Sequence, residues 1–411
     1  MNLPRFIAQR IQQTRTTTFT STVTKIGISS IAIGLSVMII SFSILIGFKQ
    51  TIREKLFSLS SHIQVSKITL NQSFEETPIE INTKFYQNYR KNPEIRHVQA
   101  VLNKAGLLKS SEEHAGIIIK GVGRDFDWAN FKENLSEGRE INFRDTSGQQ
   151  ATYSDEIIIS KKIANQLKIK LYDKVRIYFI QNPPRIRPVK VVGIYDTGLE
   201  EFDKNFIIGD LALIQRINDW DRGTAGHYEV FLKNFYNLDL LARQISDDID
   251  QDMQLLKVTE MFPAIFDWLG LMDRNIIVII ALILLVASFN MISVLLVMMM
   301  ERTPMIGMLK ALGTDNAKIR KVFIYNGLTI IIKGMIYGNI FGIGFCFLQK
   351  TFKIIPLDSE SYYMSYVPIS FDWLTILILN IVTLLLVTAV ITIPTLVVSR
   401  MKLIESLKFK S

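Results

Sequence analysis

The sequence predicts a helical membrane protein with four transmembrane helices and a large extracytoplasmic α+β domain between the first and the second. Three observations predict this class. Hydrophobic residues make up 48% of the 411 residues and are concentrated in a few long runs. Four of these runs are almost free of charge over roughly 20 residues or more. The excess of nine positive charges lies beside the runs, outside the long segment that separates the first two.

The four apolar runs are Ile26–Phe48, Asn275–Met300, Val322–Gln349 and Trp373–Ser399. Each exceeds the roughly 20 residues that a helix needs to cross the hydrocarbon core. We therefore predict that the transmembrane helices cover these four ranges. Lys333 is the only charged residue deep inside a run. Its side chain either extends to the membrane surface or faces a polar cavity, because an ionised group in the membrane is costly.

The distribution of charge predicts the orientation. Residues 1–25 contain four basic residues and no acid, residues 301–321 contain five and two, and residues 400–411 contain four and one. Residues 49–274 contain 31 basic and 32 acidic residues. Lys and Arg are retained in the cytoplasm, so both termini and 301–321 are predicted inside, and 49–274 and the loop 350–372 outside. The basic stripe that nucleic-acid binding requires is absent.

The segments outside the membrane differ in character. Residues 1–25 are typical of a cytoplasmic amphipathic helix at the membrane surface. In residues 49–274, a helical continuation of the first span, Lys49–Ser60, is followed by short strand-like and helix-like runs without a βαβ period, which predicts an α+β domain of one or two lobes. An amphipathic stretch then leads into the second span. The predicted strands are His62–Val65, Gly116–Val122, Glu156–Ser160, Val175–Ile180, Pro188–Ile194, Asn205–Gly209 and Tyr228–Leu232, and the predicted helices are Thr83–Lys91, Lys161–Leu167, Gly209–Ile217 and Leu238–Ile249.

Two further features of the predicted spans and strands have open interpretations. The tip of a predicted hairpin, Gln181–Arg187, is either a solvated turn or a protruding contact for a partner, since its adjacent prolines stiffen it and its two arginines project charge. Small residues in the first span allow close approach of another helix. They pack against this chain's own spans or form a wall at a subunit interface or substrate cavity. The residues assigned to a membrane surface facing substrate or a second subunit are Gly34, Met38, Ser41, Phe289 and Asn290.

The basic segment after the second span predicts a docking element. Met305, Met308, Leu309 and Leu312 recur at the spacing of one helical face, so a short helix would present an apolar stripe. Gly313 follows the stripe and is expected to end the helix in a left-handed conformation. The stripe either binds a partner or rests on lipid beside its basic neighbours.

Motifs of common enzymes are absent. The sequence has no P-loop, no nucleophile elbow and no HExxH pair. The four histidines are isolated, with surface or strand positions expected, and the single Cys346 cannot form an intramolecular disulfide. No catalytic residue, metal ligand or cofactor is predicted.

The docking segment also supports a resemblance. MMMERTPMIGMLKALGTDNAKIRKVFIYNGLTI, followed by glycines at 334, 338, 342 and 344, resembles the signature of the FtsX-like permeases of ABC transporters. Met305 stands where that family has an acid, and Gly307 where it has alanine. The resemblance implies that this segment is the coupling helix for a separate ATPase subunit. The residues assigned to docking are Glu301, Arg302, Met305, Ile306, Met308, Leu309, Lys310, Leu312 and Gly313.

The rest of the chain is similar to lipoprotein-releasing permeases of the LolC/LolE type. The similar segments are FIAQR, ILIGFKQTIREKLFSLSSHIQV, VKVVGIYDTGLEEFDKNFIIGD, ASFNMISVLLVM and SRMKLIESLKF. This resemblance implies an inner-membrane permease with a MacB-like periplasmic core that extracts lipoproteins and passes them to a periplasmic carrier. The carrier would bind the hairpin tip comprising Gln181, Asn182, Pro183, Pro184, Arg185, Ile186 and Arg187.

The implied partners are an ABC ATPase subunit that binds ATP and magnesium, and a second permease, either an identical copy or a paralogue. The other implied partners are membrane lipid and the lipoprotein substrate. Two alternatives stay open: a signalling permease that controls periplasmic partners without moving a substrate, and an efflux permease for a small molecule or peptide.

Overall fold

The structure, a computed structural model, describes residues 18–69, 75–110, 113–143, 153–358, 362 and 364–399. Residues 1–17 of the predicted amphipathic N-terminus and the predicted tail 400–411 lie outside the described residues. The chain forms two compact units. The helical unit comprises Met1–Gln50, Trp268–Pro356 and Tyr366–Ser411, and the sheet unit comprises Thr51–Asp267 and Leu357–Ser365.

Four long helices contain the predicted spans. They are α1 (Thr18–Leu59), α9 (Pro263–Glu301), α11 (Asn316–Phe352) and α12 (Trp373–Ser399). Each includes a stretch that is long and apolar enough to cross a membrane. Helix α1 has 42 residues and α9 has 39, so both are longer than the roughly 20 residues that a span needs. The helical continuation predicted for 49–60 is present up to Leu59, and the amphipathic stretch before 275 is helical from Pro263.

Glycines bring α11 against α1. A Cβ atom added at Gly334 would lie 2.8 Å from Cβ of Ile31, and one added at Gly338 would lie 3.0 Å from the carbonyl oxygen of Ala32. The Ser36 hydroxyl donates to the carbonyl oxygen of Gly338 over 2.9 Å. The small residues at these positions therefore pack against the chain's own helices, in the manner of small-xxx-small contacts in membranes.

A pair of asparagines joins α11 to α12. The amide of Asn339 donates to Oδ1 of Asn380 over 2.7 Å, and the amide of Asn380 donates to Oδ1 of Asn339 over 3.0 Å. Each also donates to the carbonyl four residues earlier in its own helix. Because polar groups in a membrane need partners, this pair fixes how α11 and α12 lie against each other. Lys333 is exposed on α11, and its role stays a prediction.

The sheet unit contains one ten-stranded mixed sheet, with strands in the order β12-β1-β11-β3-β4-β9-β6-β8-β5 and with β7 pairing with β3 and β8. Most pairs are antiparallel, while β4–β9 and β6–β8 are parallel. A separate two-stranded sheet pairs β2 with β10. The strands are β1 (Ile63–Lys67), β2 (Ile79–Glu80), β3 (Ile95–Lys109), β4 (His114–Val122), β5 (Leu135–Gly138), β6 (Glu156–Ser160), β7 (Lys174–Phe179), β8 (Arg185–Tyr195), β9 (Phe206–Asp210), β10 (Thr224–Ala225), β11 (His227–Leu232) and β12 (Met253–Lys257).

Short helices pack against the sheet and complete two apolar cores. They are α2 (Lys84–Asn88), α3 (Trp128–Phe131), α4 (Lys161–Leu167), α5 (Glu200–Asn205), α6 (Leu211–Asn218), α7 (Leu238–Asp248) and α8 (Val258–Met261). All seven predicted strands fall on strands of the main sheet, which confirms a domain of mixed strands and helices. The longest strand, β3, was not predicted, because its sequence mixes buried apolar residues with Gln99 and Lys104.

Candidate functional site

A short helix, α10 (Thr303–Ala311), lies between α9 and α11. Pro304 is in its first turn, where the missing N–H costs no hydrogen bond. At the other end, Gly313 has φ +81° and Thr314 N–H donates to the carbonyl oxygen of Leu309 over 2.9 Å. This is the hydrogen bond of a Schellman cap, so the predicted left-handed glycine is confirmed. A Cβ at Gly313 would meet no atom within 4 Å, so backbone conformation alone favours glycine there.

The predicted apolar stripe is divided between two faces, which corrects the expectation that all four residues point the same way. Leu309 packs with Ile306 against Phe323, in a cluster that holds α10 on α9 and α11. Met305 is partly buried against Val322. Met308 and Leu312 are 66% and 77% exposed. The reason is that α10 folds back on its own flanking helices, which use the inner half of the stripe.

The outward face of α10 therefore consists of Pro304, Met308 and Leu312, all of them exposed and spaced by four residues. We call it the Met308 face. The remaining residues assigned to docking, Glu301, Arg302 and Lys310, are partly buried around it. An exposed apolar face with charged neighbours has the composition of a protein-binding surface, and flexible Met side chains adapt to a changing groove.

A groove runs along the helical unit between α1 and α9. Its volume is about 690 Å³. The lining residues are Thr22, Lys25, Ile26, Ser29, Ser30, Ile33, Gly34, Val37, Leu282, Ile283, Val286, Ala287 and Asn290. The two helices are close at Gly34, where an added Cβ would lie 3.3 Å from Cγ2 of Ile283.

The groove has one polar end and one apolar end. Lys25, Ser30 and Asn290 lie at the polar end, where the Asn290 amide donates to the Ser30 hydroxyl over 2.8 Å. Exposed aliphatic side chains, among them Ile33 and Val286, line the other end. The groove is thus amphipathic along its length, with its polar groups gathered at one end.

Two of the five residues predicted to face substrate or a second permease line this groove, Gly34 and Asn290. Met38 does not, because it is 1% exposed and packs in the core of the helical unit. Ser41 is half-buried on α1 beyond the groove, and Phe289 is 62% exposed on a different face of α9. Helical periodicity on two separate helices did not reveal which faces meet.

The predicted hairpin is formed by β7 and β8, but its turn is shorter than expected. Phe179 pairs with Arg185, so only residues 180–184 form the turn, and Arg185, Ile186 and Arg187 belong to β8. The Arg185 guanidinium does not project into solvent as predicted. It forms an ion pair with Asp219, with 3.0 Å between Nη1 and Oδ1, because Asp219 follows α6 at the same edge.

The exposed surface of this tip is mainly apolar. Ile180 is 83% exposed and Ile186 is 47% exposed, and Pro183 and Pro184 between them are also exposed. Asn182 is exposed in the turn, while Gln181 donates from Nε2 to the carbonyl oxygen of Ile217 over 3.1 Å. A protruding apolar tip whose base is fixed by Arg185 and Gln181 suits contact with another protein.

A buried ionic cluster in the sheet unit was missed by sequence reasoning. Lys120 Nζ lies 2.7 Å from Oε1 of Glu229, and Nδ1 of His227 lies 2.8 Å from Oε1 of Glu76. Burial would lower the pKa of His227, but the Glu76 and Glu229 carboxylates more than offset this and raise it to about 9. Burial would raise the pKa of Glu229, but Lys120 and His227 lower it to about 2.

The other buried histidine is uncharged. Burial lowers the pKa of His62 to about 3, with a smaller contribution from Arg96, and its ring stacks on Phe57 at 3.7 Å. His62 and His227 are therefore buried structural residues, and His227 occupies a strand position, one of the two kinds expected for isolated histidines. Within the described parts of the chain, no group of His, Cys, Asp and Glu side chains is arranged to hold a metal ion.

Comparison with known proteins identifies the family. The sequence profile of the MacB-like periplasmic core domain matches residues 26–247, more than half of the chain. The profile of the FtsX-like permease C-terminal region matches residues 277–403. The chain belongs to the FtsX-like permeases with a MacB-like periplasmic core domain. The permease is thus a multi-pass membrane protein, in which α10, α11, α12 and the part of α9 from residue 277 onward lie within the region matched by the FtsX profile.

Curated relatives of the permease extend over nearly its whole length. The lipoprotein-releasing system transmembrane protein LolE of Haemophilus influenzae is 22% identical over 94% of each chain. LolC of Neisseria meningitidis, which has the same system name, is 23% identical over 86% of each chain.

Solved structures similar to the permease include the extracellular domain of the noncanonic ABC-type transporter YknZ from Gram-positive bacteria. It is 16% identical with a TM-score of 0.31, covering 47% of this chain and 99% of that one. The periplasmic region of MacB from Actinobacillus actinomycetemcomitans is 12% identical with a TM-score of 0.34, covering 51% and 95%.

Proposed function

We propose that the permease is the membrane subunit of an ABC transporter that extracts lipoproteins from the inner membrane for transfer to a periplasmic carrier. The observation that carries the proposal is the amphipathic groove between α1 and α9 in a chain whose relatives are named for lipoprotein release. The groove is open along exposed aliphatic side chains and offers an acyl chain apolar contacts in place of lipid. Leaving the bilayer without such contacts costs about 0.8 kcal/mol per methylene.

The orientation in this proposal places the sheet unit in the periplasm and α10 in the cytoplasm. The basic residues of 301–321 and the near-neutral balance of 49–274 support it. In this orientation the polar end of the groove, with Lys25, is at the cytoplasmic side. The aliphatic end is nearer the periplasmic leaflet.

The energy source is a separate ATPase subunit, which binds ATP and magnesium and docks on the Met308 face. This chain needs no cofactor of its own for that role. Helices α9 and α11 hold α10 through the Ile306 and Leu309 cluster, so α10 can transmit a displacement of the ATPase to both helices. A second permease, an identical copy or a paralogue, would close the open side of the groove. The apolar tip around Ile180 and Pro183 is the proposed contact for the carrier.

The alternatives predict a different use of the groove. A signalling permease would keep it filled by protein from its partner subunit, and an efflux permease would line a water-filled path with polar groups. The aliphatic lining at Ile33, Val37 and Val286 favours a lipid cargo over a water-soluble one.

Docking is tested with Met308→Asp in the full-length permease. Met308 is 66% exposed, so the variant should fold. A carboxylate that must leave water to enter an apolar interface costs several kcal/mol, on the order of a hundredfold or more in affinity. The ATPase subunit should therefore be lost from the detergent-purified complex.

Met308→Leu is the matched control, because it keeps the size and apolar character of the side chain and should retain the ATPase. Should Met308→Asp retain a stoichiometric ATPase subunit, the Met308 face rests on lipid or solvent and the docking assignment is wrong. Leu309→Asp is a poorer choice of variant, since Leu309 packs against Phe323 and the substitution would disturb the fold of α10 itself.

A further inference from the structure

The end of α1 is held by a buried cation. The ammonium group of Lys120, on β4, donates to the carbonyl oxygen of Leu59, which is the last residue of α1. The same ammonium lies 2.7 and 2.9 Å from the two carboxylate oxygens of Glu229 on β11. Lys120 is 3% exposed and Glu229 is 5% exposed. A single lysine thus links the end of a long helix to two strands of the sheet.

This contact provides a hydrogen-bond donor for a carbonyl group at the end of α1. The last carbonyl groups of a helix have no partner within the helix, and they favour a positive charge. In α1, side chains of the sheet unit supply the missing donors, since Asn130 donates to the carbonyl oxygen of Phe57 over 2.8 Å and Lys120 to that of Leu59. The last turn of α1 is therefore fixed to β4 and α3 by side chains as well as by the chain that follows it.

The anchor continues through the centre of the sheet. Gln99 on β3 donates to Oε2 of Glu229 over 2.8 Å, so β4, β11 and β3 are joined through one carboxylate. The chain after α1 is bonded to the same strand, because His62 N–H donates to the carbonyl oxygen of Val230 over 3.1 Å. The carbonyl of His62 in turn accepts from Val258 N–H over 2.9 Å, at the start of the segment leading to α9.

Stability alone is a weak reason for such a cluster, because a buried ion pair is often replaced by apolar residues without loss of stability. An apolar pair could not cap the carbonyl of Leu59. We propose that Lys120 is a positioning residue that fixes the end of α1 to β4 and β11, so that displacement of α1 during the ATP cycle moves the sheet. This inference rests on the proposed function, since it concerns the same cycle.

The experiment uses the full-length permease assembled with its ATPase in proteoliposomes, and compares wild type with Lys120→Met. Three quantities are measured: hydrogen exchange of the amides of Ser60 and His62, the change in exchange of β11 amides when ATP and vanadate are added, and the ATPase rate. We expect about tenfold faster exchange at Ser60 and His62 in the variant. The nucleotide-dependent change at β11 should disappear, while the ATPase rate stays within about twofold of wild type.

Two further variants make the result specific. Lys104→Met removes another buried lysine of the same sheet, whose ammonium lies 3.6 Å from Glu75 and not at a helix end, and it should behave as wild type. The double variant Lys120→Met with Glu229→Gln does not leave an unpaired carboxylate in the interior. If the single variant fails to fold, the double variant tests the role of Lys120 in its place. The double variant should also lose the nucleotide-dependent change at β11.

The inference is overturned if Lys120→Met and the double variant keep the nucleotide-dependent change at β11, or if wild type shows no such change. Lipoprotein release is recorded in the same proteoliposomes. Absence of release by the wild type would reject the proposed function, whereas the exchange data would still decide the role of Lys120. The two failures are therefore distinguishable.

Discussion

The close contact between α1 and α11 predicts opposite effects for two glycine substitutions in the same helix. In Gly334→Ala the new Cβ would lie 2.8 Å from Cβ and 2.9 Å from Cγ2 of the buried Ile31, and 3.0 Å from the carbonyl oxygen of Ile28. One of the helices must shift, and such overpacking costs about 1–3 kcal/mol. In Gly344→Ala the new Cβ would meet nothing within 4 Å, so the variant gains the roughly 1 kcal/mol difference in helix propensity between alanine and glycine.

Gly334→Ala gains the same propensity, so with overpacking at the upper end of its range its net cost is about 2 kcal/mol. The single cysteine reports this directly, because Cys346 lies on α11 and is 0% exposed. Its reaction with a maleimide requires opening of the helical unit. When closing is faster than labelling, the labelling rate is proportional to the opening equilibrium. Gly334→Ala should therefore label about 30-fold faster than wild type, and Gly344→Ala about fivefold slower.

The pair of variants carries its own control, since both replace glycine by alanine in α11. If Gly334→Ala labelled as slowly as Gly344→Ala, helix propensity alone would decide the outcome. The described contact between α1 and α11 at Ile31 would then be refuted.

Three further predictions concern the sheet unit and the orientation. The folded-state pKa of His227 is raised to about 9, so its contribution is complete below pH 6.5 and is lost between pH 6.5 and 9. We expect the difference in free energy of unfolding between wild type and His227→Gln to fall by on the order of 3 kcal/mol over that range. Denaturant titrations of the full chain measure this difference, and a pH-independent value would contradict the ionic cluster. Replacing residues 180–184 by a Gly-Ser turn should leave the sheet folded but abolish crosslinking to a periplasmic carrier, and undiminished crosslinking would make the tip an ordinary turn. A cysteine at Ser110 should react with an impermeant thiol reagent in spheroplasts and one at Thr314 should not, whereas the reverse labelling would invert the proposed orientation.

Local sequence patterns were sufficient for part of this structure. Long apolar runs identified the four helices because burial in lipid requires about 20 apolar residues regardless of tertiary contacts. The left-handed conformation of Gly313 was likewise predictable, since it follows from how one helix ends. The strands predicted from β-branched runs, such as Glu156–Ser160, match strands of the sheet, since β-branched residues favour strands.

The remaining features depend on contacts between residues far apart in the chain. Leu309 faces inward because Phe323 lies beside it. Arg185 forms an ion pair with Asp219, which follows α6 and is distant in the sequence. The polar residues that concealed β3 are satisfied by partners on other strands, as Gln99 is by Glu229. Periodicity indicates that a face is apolar, but it does not indicate which neighbour covers it.

The central claim is that the groove between α1 and α9 receives the acyl chains of lipoproteins, which ATP then expels. A photo-crosslinking amino acid at Val286, which is 55% exposed in the groove, tests it in membranes that contain the ATPase subunit and a lipoprotein. Ile378 on α12, 49% exposed and outside the groove, provides the matched control position. The account predicts lipoprotein crosslinks from Val286 that disappear on addition of ATP and carrier, and none from Ile378. Equal crosslinking from both positions, or crosslinking from Val286 that ATP and carrier do not change, would contradict it.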